Sequence, residues 1–97
     1  YDLYTDATYI YTAGYYEVGK YDLGGADAGS LTSLPYIVYG VAGDSYGNIY
    51  YSQGTTIYKV DSDFNAITNW SFDTFSAVQG MEVSGDYLYV ATFYDVL

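Results

Sequence analysis

The chain has 97 residues, with 12 Asp or Glu against 2 Lys or Arg, 16 Tyr, 11 Gly, one Pro, and neither Cys nor His. A formal charge of −10 repels phosphate backbones and anionic lipid, which are held by clustered Lys and Arg, so nucleic acid is excluded as a partner. No run approaches the roughly 20 apolar residues of a membrane-spanning helix, and without a His base, a thiol or a carboxylate pair marked by its spacing the chain reads as non-enzymatic, with no cofactor.

Apolar and polar residues alternate at period two, with no sustained repeat at three and four residues, so the sequence predicts strands and no substantial helix. In chain order, Leu3 to Asp6, Thr8 to Thr12, Tyr16 to Tyr21 and Ser30 to Leu34 form a first unit of four strands. Tyr36 to Ala42, Asn48 to Ser52, Thr56 to Val60 and Ile67 to Phe72 form a second, separated by Gly- and Asp-rich turns. Gly80 to Ser84 and Tyr87 to Thr92 open a third, with a further strand starting at Tyr94.

The units superimpose without gaps. Ile10, Ile49 and Leu88 are equivalent (49 − 10 = 39, 88 − 49 = 39), as are Val18, Ile57 and Val96 (57 − 18 = 39, 96 − 57 = 39). A four-strand repeat near 40 residues is the signature of a β-propeller blade. The expected fold is therefore all-β, a single repeat domain over 1–97 built of four-stranded antiparallel blades: blade one over 1–36, blade two over 37–75 and a partial blade three over 76–97. Closed propellers need about 4 to 8 blades, and two and a half repeats leave the ring incomplete in one chain. The expected partners are other copies of the chain or the remainder of a longer propeller. The first residue is not Met and no charged-then-apolar leader is visible, so the stretch reads as processed or excised.

The segment Gly40-Val41-Ala42-Gly43-Asp44-Ser45-Tyr46-Gly47-Asn48-Ile49-Tyr50-Tyr51, followed by Ile57-Tyr58-Lys59-Val60-Asp61, resembles the blade pattern of propellers of the NHL and YVTN surface-repeat type. It departs from the YVTN form in having Tyr-Tyr-Ser-Gln and Tyr-Val-Ala-Thr at the name-giving tetrapeptide. The resemblance implies a propeller that presents ligands or partners on its loop faces, and no catalytic set. Absence of Cys leaves the redox compartment open, while a Tyr, Thr, Ser, Gly and Asp bias with almost no Lys reads as extracellular or cell-surface.

Ile10, Ile49, Leu88, Val18, Ile57 and Val96 are expected to pack blade against blade, with Tyr11, Tyr50 and Tyr89 on the opposite sheet face. In an end blade one face is bare, so Tyr87, Leu88, Tyr89, Val90 and Val96 are the expected assembly edge. Completion of partial blades by self-assembly, in a ring or a filament, is the leading functional expectation. The alternative is a lectin: Tyr15, Tyr16, Tyr50, Tyr51, Phe93 and Tyr94 flank the hairpins between second and third strands, where an aromatic face with a polar tip suits a sugar ring. Core or subunit packing competes for the same tyrosines.

Two weaker motifs remain. Asp61, Asp63 and Asn65 offer oxygens at the alternate spacing of a calcium loop, yet Ala66 and Phe72 stand where such loops carry Gly and Glu. An Asx turn is the competing reading there, while Asp44 reads as part of the hairpin turn between first and second strands, with Gly47 expected at positive φ, a substrate-binding carboxylate on a loop face being the alternative. Asn69-Trp70-Ser71 is an N-glycosylation sequon at Asn69.

Overall fold

The computed structural model describes residues 2–6, 8–74 and 77–92, with the side chains of residues 68 and 69 outside that description. Ten strands follow one another: β1 (Asp2–Thr5), β2 (Tyr9–Ala13), β3 (Val18–Asp22), β4 (Asp27–Leu31), β5 (Val41–Gly43), β6 (Ile49–Gln53), β7 (Thr56–Val60), β8 (Ala66–Asp73), β9 (Val78–Ser84) and β10 (Tyr87–Thr92). They make antiparallel sheets β1-β2-β3-β4, β5-β6-β7-β8 and the hairpin β9-β10. No helix occurs among the described residues. β5 lies against both β1 and β9, so the first strands of the three sheets adjoin, while β4 and β8 form outer edges.

Strict alternation sets the packing. Tyr4, Tyr11 and Lys20 are opposite one another in register, as are Ala13 and Val18. This face of the first sheet meets Val41, Ile49, Tyr51 and Val60 of the second in one buried cluster, closed by Val38. The other face of the second sheet, with Ile57, Tyr50 and Trp70, packs on Val78, Val90, Met81 and Leu88 of the third. Tyr11 is the hub of the first seam. It is fully buried, with the rings of Tyr4, Tyr9 and Phe64 at centroid distances of 6.0, 6.4 and 6.2 Å. Lys20 reaches across the same seam: its Nζ donates to the Ser62 carbonyl at 2.7 Å and lies 4.1 Å from the Tyr9 ring centroid, a geometry worth about 0.5–2 kcal/mol. Close approach of the inner strands needs Gly43, because a Cβ there would run into the Tyr4 ring.

The structure moves several strand boundaries, among them the end of β4, at Leu31 rather than Leu34, and the start of β9, at Val78 rather than Gly80, and three starts have a local cause. The fourth strand of the first sheet begins at Asp27 rather than Ser30, because Asp22 Oδ1 accepts from the amides of Gly24 and Ala26 and Gly25 takes a φ of 91°, which closes the turn early. The first strand of the second sheet begins at Val41 rather than Tyr36, because the Gln53 side chain, not a neighbouring strand, binds the Tyr36 backbone. The third strand begins at Val18 rather than Tyr16, since Tyr16 is in a turn at φ 90°.

The 39-residue offset also proves local. It holds for the second and third strands, but Ile10, Ile49 and Leu88 pair with Thr5, Gly43 and Val83, giving first-strand offsets of 43 − 5 = 38 and 83 − 43 = 40. The turn between β5 and β6 holds one residue more than its counterparts. Asp44 therefore corresponds to Asp6, whose amide likewise donates to the residue just before or at the start of the next strand.

Among the described residues the Tyr11 hydroxyl is the buried polar side-chain atom without a hydrogen-bond partner. Burial, with the nearby charge of Asp6, pushes it up to about 12. A desolvated, unpaired hydroxyl costs about 1–3 kcal/mol, so Tyr11→Phe, which keeps the ring contacts, should raise stability by about 1 kcal/mol in urea unfolding, whereas Tyr11→Ala should lower it by about 3–5 kcal/mol.

Candidate functional site

The two ends of the sheets differ in chemistry. At one end lie the turns β1–β2, β3–β4, β5–β6, β7–β8 and β9–β10, and with them Asp6, Asp22, Asp27, Asp44, Asp61, Asp63 and Asp86. Their carboxylates are largely engaged by turn backbone. Asp6 Oδ1 accepts from the amides of Thr8 and Tyr9, Asp44 Oδ1 from those of Tyr46 and Asn48, and Asp61 Oδ1 from those of Asp63 and Asn65. Gly47 completes its turn at φ 87°.

Asp44 also takes the Asn48 side-chain amide at 3.2 Å and the Tyr50 hydroxyl at 3.0 Å on Oδ2. Burial raises the Asp44 carboxyl, but these donors outweigh it and hold it below its ordinary 3.8. The same burial and carboxylate push Tyr50 up to about 12. For the proposed calcium ligands, Asp61 Oδ2 accepts from Asn65 Nδ2 at 3.2 Å, and backbone donation from Asn65 holds Asp61 low. The intervening Ser62 carbonyl takes the Lys20 ammonium. Among the described residues no three His, Cys, Asp or Glu side chains converge in a metal-binding group.

The opposite end carries the turns β2–β3 and β6–β7 and the connections that leave β4 and β8. The connection after β4 is stitched down at intervals: the amides of Leu34 and Val38 donate to the carbonyls of Tyr16 and Gly14. Between these ties, the Tyr36 amide donates to Gln53 Oε1 at 3.1 Å and Gln53 Nε2 donates back to the Tyr36 carbonyl at 2.9 Å. Gln53 is buried, and its two-point clasp imitates one rung of a sheet. The clasped Tyr36 nevertheless keeps its side chain 59% exposed. Beneath it opens a cavity of about 500 Å³ lined by Leu34, Pro35, Tyr36, Tyr51, Gln53, Gly54, Thr55, Thr56 and Tyr58. The rings of Tyr51 and Tyr58 stack in its wall with centroids 5.6 Å apart. No charged residue lines it.

The aromatic residues expected to bind ligand are thus distributed over separate places. Tyr15 and Tyr16 are exposed on the β2–β3 turn, at the end opposite the aspartate-rich turns, Tyr16 at a positive φ that side chains rarely adopt. Tyr51 lines the cavity, while Tyr50, its neighbour in β6, points to the other sheet face and pairs with Asp44 and Trp70. Phe93, Tyr94 and Val96 lie outside the described residues, as does the side chain of Asn69, whose backbone is in β8. Of the expected assembly edge, Tyr87, Leu88, Tyr89 and Val90 make up β10, which among the described residues pairs with β9 alone. Leu88 and Val90 face the second sheet, and Tyr87 and Tyr89 face away, exposed. Sequence reasoning missed Tyr36, Tyr58 and Gln53 as members of one site. The available signal was Pro35, which interrupts any strand through Tyr36.

No family model and no curated protein matches the sequence. Solved structures do match the fold. The β-propeller domain of Cps50 (Swd1) from Myceliophteria thermophila is similar with a TM-score of 0.70 at 16% identity, over 91% of this chain and 30% of that one. The chain is a partial β-propeller. BamB from Moraxella catarrhalis is similar with a TM-score of 0.68 at 17% identity, over 94% of this chain and 29% of its own. The propeller segment thus spans about three tenths of either structure, and its three sheets are successive blades.

The Asp44 network gives this propeller a pH signature. The carboxyl is lowered on folding, so its contribution is present above about pH 4 and is lost as pH falls below 3.8 through the folded value. Asp44→Ala should cost about 1 kcal/mol at pH 7, the low end for charge-assisted bonds at a half-exposed site. Urea unfolding should show that difference narrowing between pH 4 and pH 2.

Proposed function

We propose that this partial propeller is a non-enzymatic interaction module that associates with copies of itself by covering bare blade faces, in an extracellular or cell-surface setting. One observation carries the reading. Tyr11, Tyr50 and Tyr89 occupy equivalent sites; the first is fully buried and the second half-buried by the following blade, yet Tyr89 is 52% exposed, with the exposed Tyr87 beside it. At the other extreme, Ile49 and Leu88 pack on the preceding blade, while their equivalent Ile10 is on the far face of β2, opposite Thr5 and Tyr21 and beside the exposed Leu3. One face lacks what the other presents.

Joining two such unlike faces is a head-to-tail association, which closes into a ring or continues as a filament according to the rotation between copies. The resemblance to NHL and YVTN surface repeats, and the Tyr-, Gly- and Asp-rich composition, support a surface-exposed binding role.

The two faces are tested separately by charge insertion. Light scattering on a size-exclusion column should show concentration-dependent oligomers for the unmodified chain, and monomers for Tyr89→Asp and for Ile10→Asp. A one-to-one mixture of these variants should form dimers, since each retains the face the other lost. A wild-type chain that stays monomeric at about 1 mM, or variants that assemble like it, would overturn the proposal.

A further inference from the structure

We infer that the cavity under Tyr36 is a binding site for a neutral saccharide unit, independent of self-association. Three features combine there. First, the backbone that carries an exposed aromatic residue is held by a buried clasp: Gln53 uses its amide oxygen and one of its amide hydrogens on the two backbone groups of Tyr36, a residue that lines the cavity. Flexible surface tyrosines need no such fixture, and preorganisation of this kind spares a ligand the cost of ordering the site.

Second, the wall is aromatic but not sealed. Tyr58 remains 38% exposed although it shares a face with the buried Val60 and stacks on Tyr51. An aromatic face flanked by phenol and hydroxyl groups, here those of Tyr36, Tyr58, Thr55 and Thr56, matches a pyranose, with its apolar C–H face and its rim of hydroxyls. The volume of about 500 Å³ falls within the range of small-ligand sites.

Third, charge is excluded from this cavity in a chain whose formal charge is −10. Most carboxylates gather at the opposite end in turn geometry, and those described at this end, Asp2, Glu17 and Asp73, are not among the residues that line the cavity. That favours an uncharged polyol over an ionic ligand. Aromatic grooves also receive polyproline segments, but the lining includes Thr55 and Thr56 beside the tyrosines, and these hydroxyl-bearing residues suit a polyol ring better than a proline-rich peptide.

The test is a titration of the intact chain with uncharged oligosaccharides, namely the hexamers of β-1,4-glucose, β-1,3-glucose, β-1,4-xylose and β-1,4-mannose, followed by calorimetry and by saturation-transfer NMR. At least one should bind saturably, and binding should persist in 0.5 M NaCl, because no ion pair would contribute. Tyr36→Ala and Tyr58→Ala should each weaken it at least about tenfold. Tyr46→Ala, an exposed tyrosine on the acidic end, should leave it unchanged.

Gln53 acts as a positioning residue, so Gln53→Ala should weaken binding while Gln53→Glu, which keeps the acceptor for the Tyr36 amide, should restore part of it. Should Gln53→Ala unfold the chain, the two tyrosine variants at exposed positions still decide. Absence of binding by all four hexamers at about 10 mM, an affinity unchanged in both tyrosine variants, or saturable binding of a proline decapeptide in their place would overturn the assignment. Because Tyr89→Asp leaves the cavity intact, its retained saccharide binding separates this inference from the self-association reading.

Discussion

Alternate residues of a strand face opposite ways, and in this chain the second and third strands of each blade carry large apolar or aromatic groups in both directions. The middle blade shows what that demands. Ile49, Tyr51 and Val60 are spent against the first blade, and Tyr50, Ile57 and Trp70 against the third. Neither set could be left in water without forfeiting about 25 cal/mol for each Å² of apolar surface. The blades therefore stabilise one another in sequence, as in other repeat architectures, and interior blades are better covered than terminal ones.

The seams also absorb both of the chain's cations. Lys20 and Lys59 are equivalent residues of third strands, and each lays its ammonium near aromatic rings: Lys20 over Tyr9 and Tyr11, Lys59 over Tyr50 and Trp70. The carboxylates are placed differently. Seven sit at the turns of one end, where Asp6, Asp22, Asp44 and Asp61 each accept two amide hydrogens and so fix the reversal of the chain, and the resulting concentration of negative charge sets the polarity of the molecule. Self-repulsion there opposes compaction, offset locally by the amide dipoles each carboxylate accepts. Net charge and turn chemistry thus have a common origin.

Much of this was legible in the sequence. Period-two alternation and the repeat fixed the strand types, and residues such as Val18, Ile49 and Ile57 were identifiable as seam residues because their spacing survives between units. What escaped depends on side chains that take over backbone hydrogen bonding. Asp22 closes a turn early, and Gln53 removes Tyr36 from a strand that its composition otherwise favours. The extra residue in the β5–β6 turn was hidden for a similar reason, since a gapless alignment of second and third strands carries no information about the first. As for the cavity, Tyr51 stood out through aromatic bias alone. Tyr36 and Tyr58 are 22 residues apart (58 − 36 = 22) and adjoin only because the connection after β4 folds back over the second blade.

The placement of the two lysines has a further consequence. A protease that cleaves after basic residues finds only Lys20 and Lys59 in the whole chain, and both are in inner strands with a neighbour on each side, β3 between β2 and β4 and β7 between β6 and β8, the ladder to the outer strand shifting register at each site. A peptide bond so held cannot enter a protease cleft while the sheet is intact. Each scissile bond therefore becomes a reporter for one blade: tryptic nicking after Lys20 counts the openings of the first, and nicking after Lys59 those of the second, from the native protein without any label.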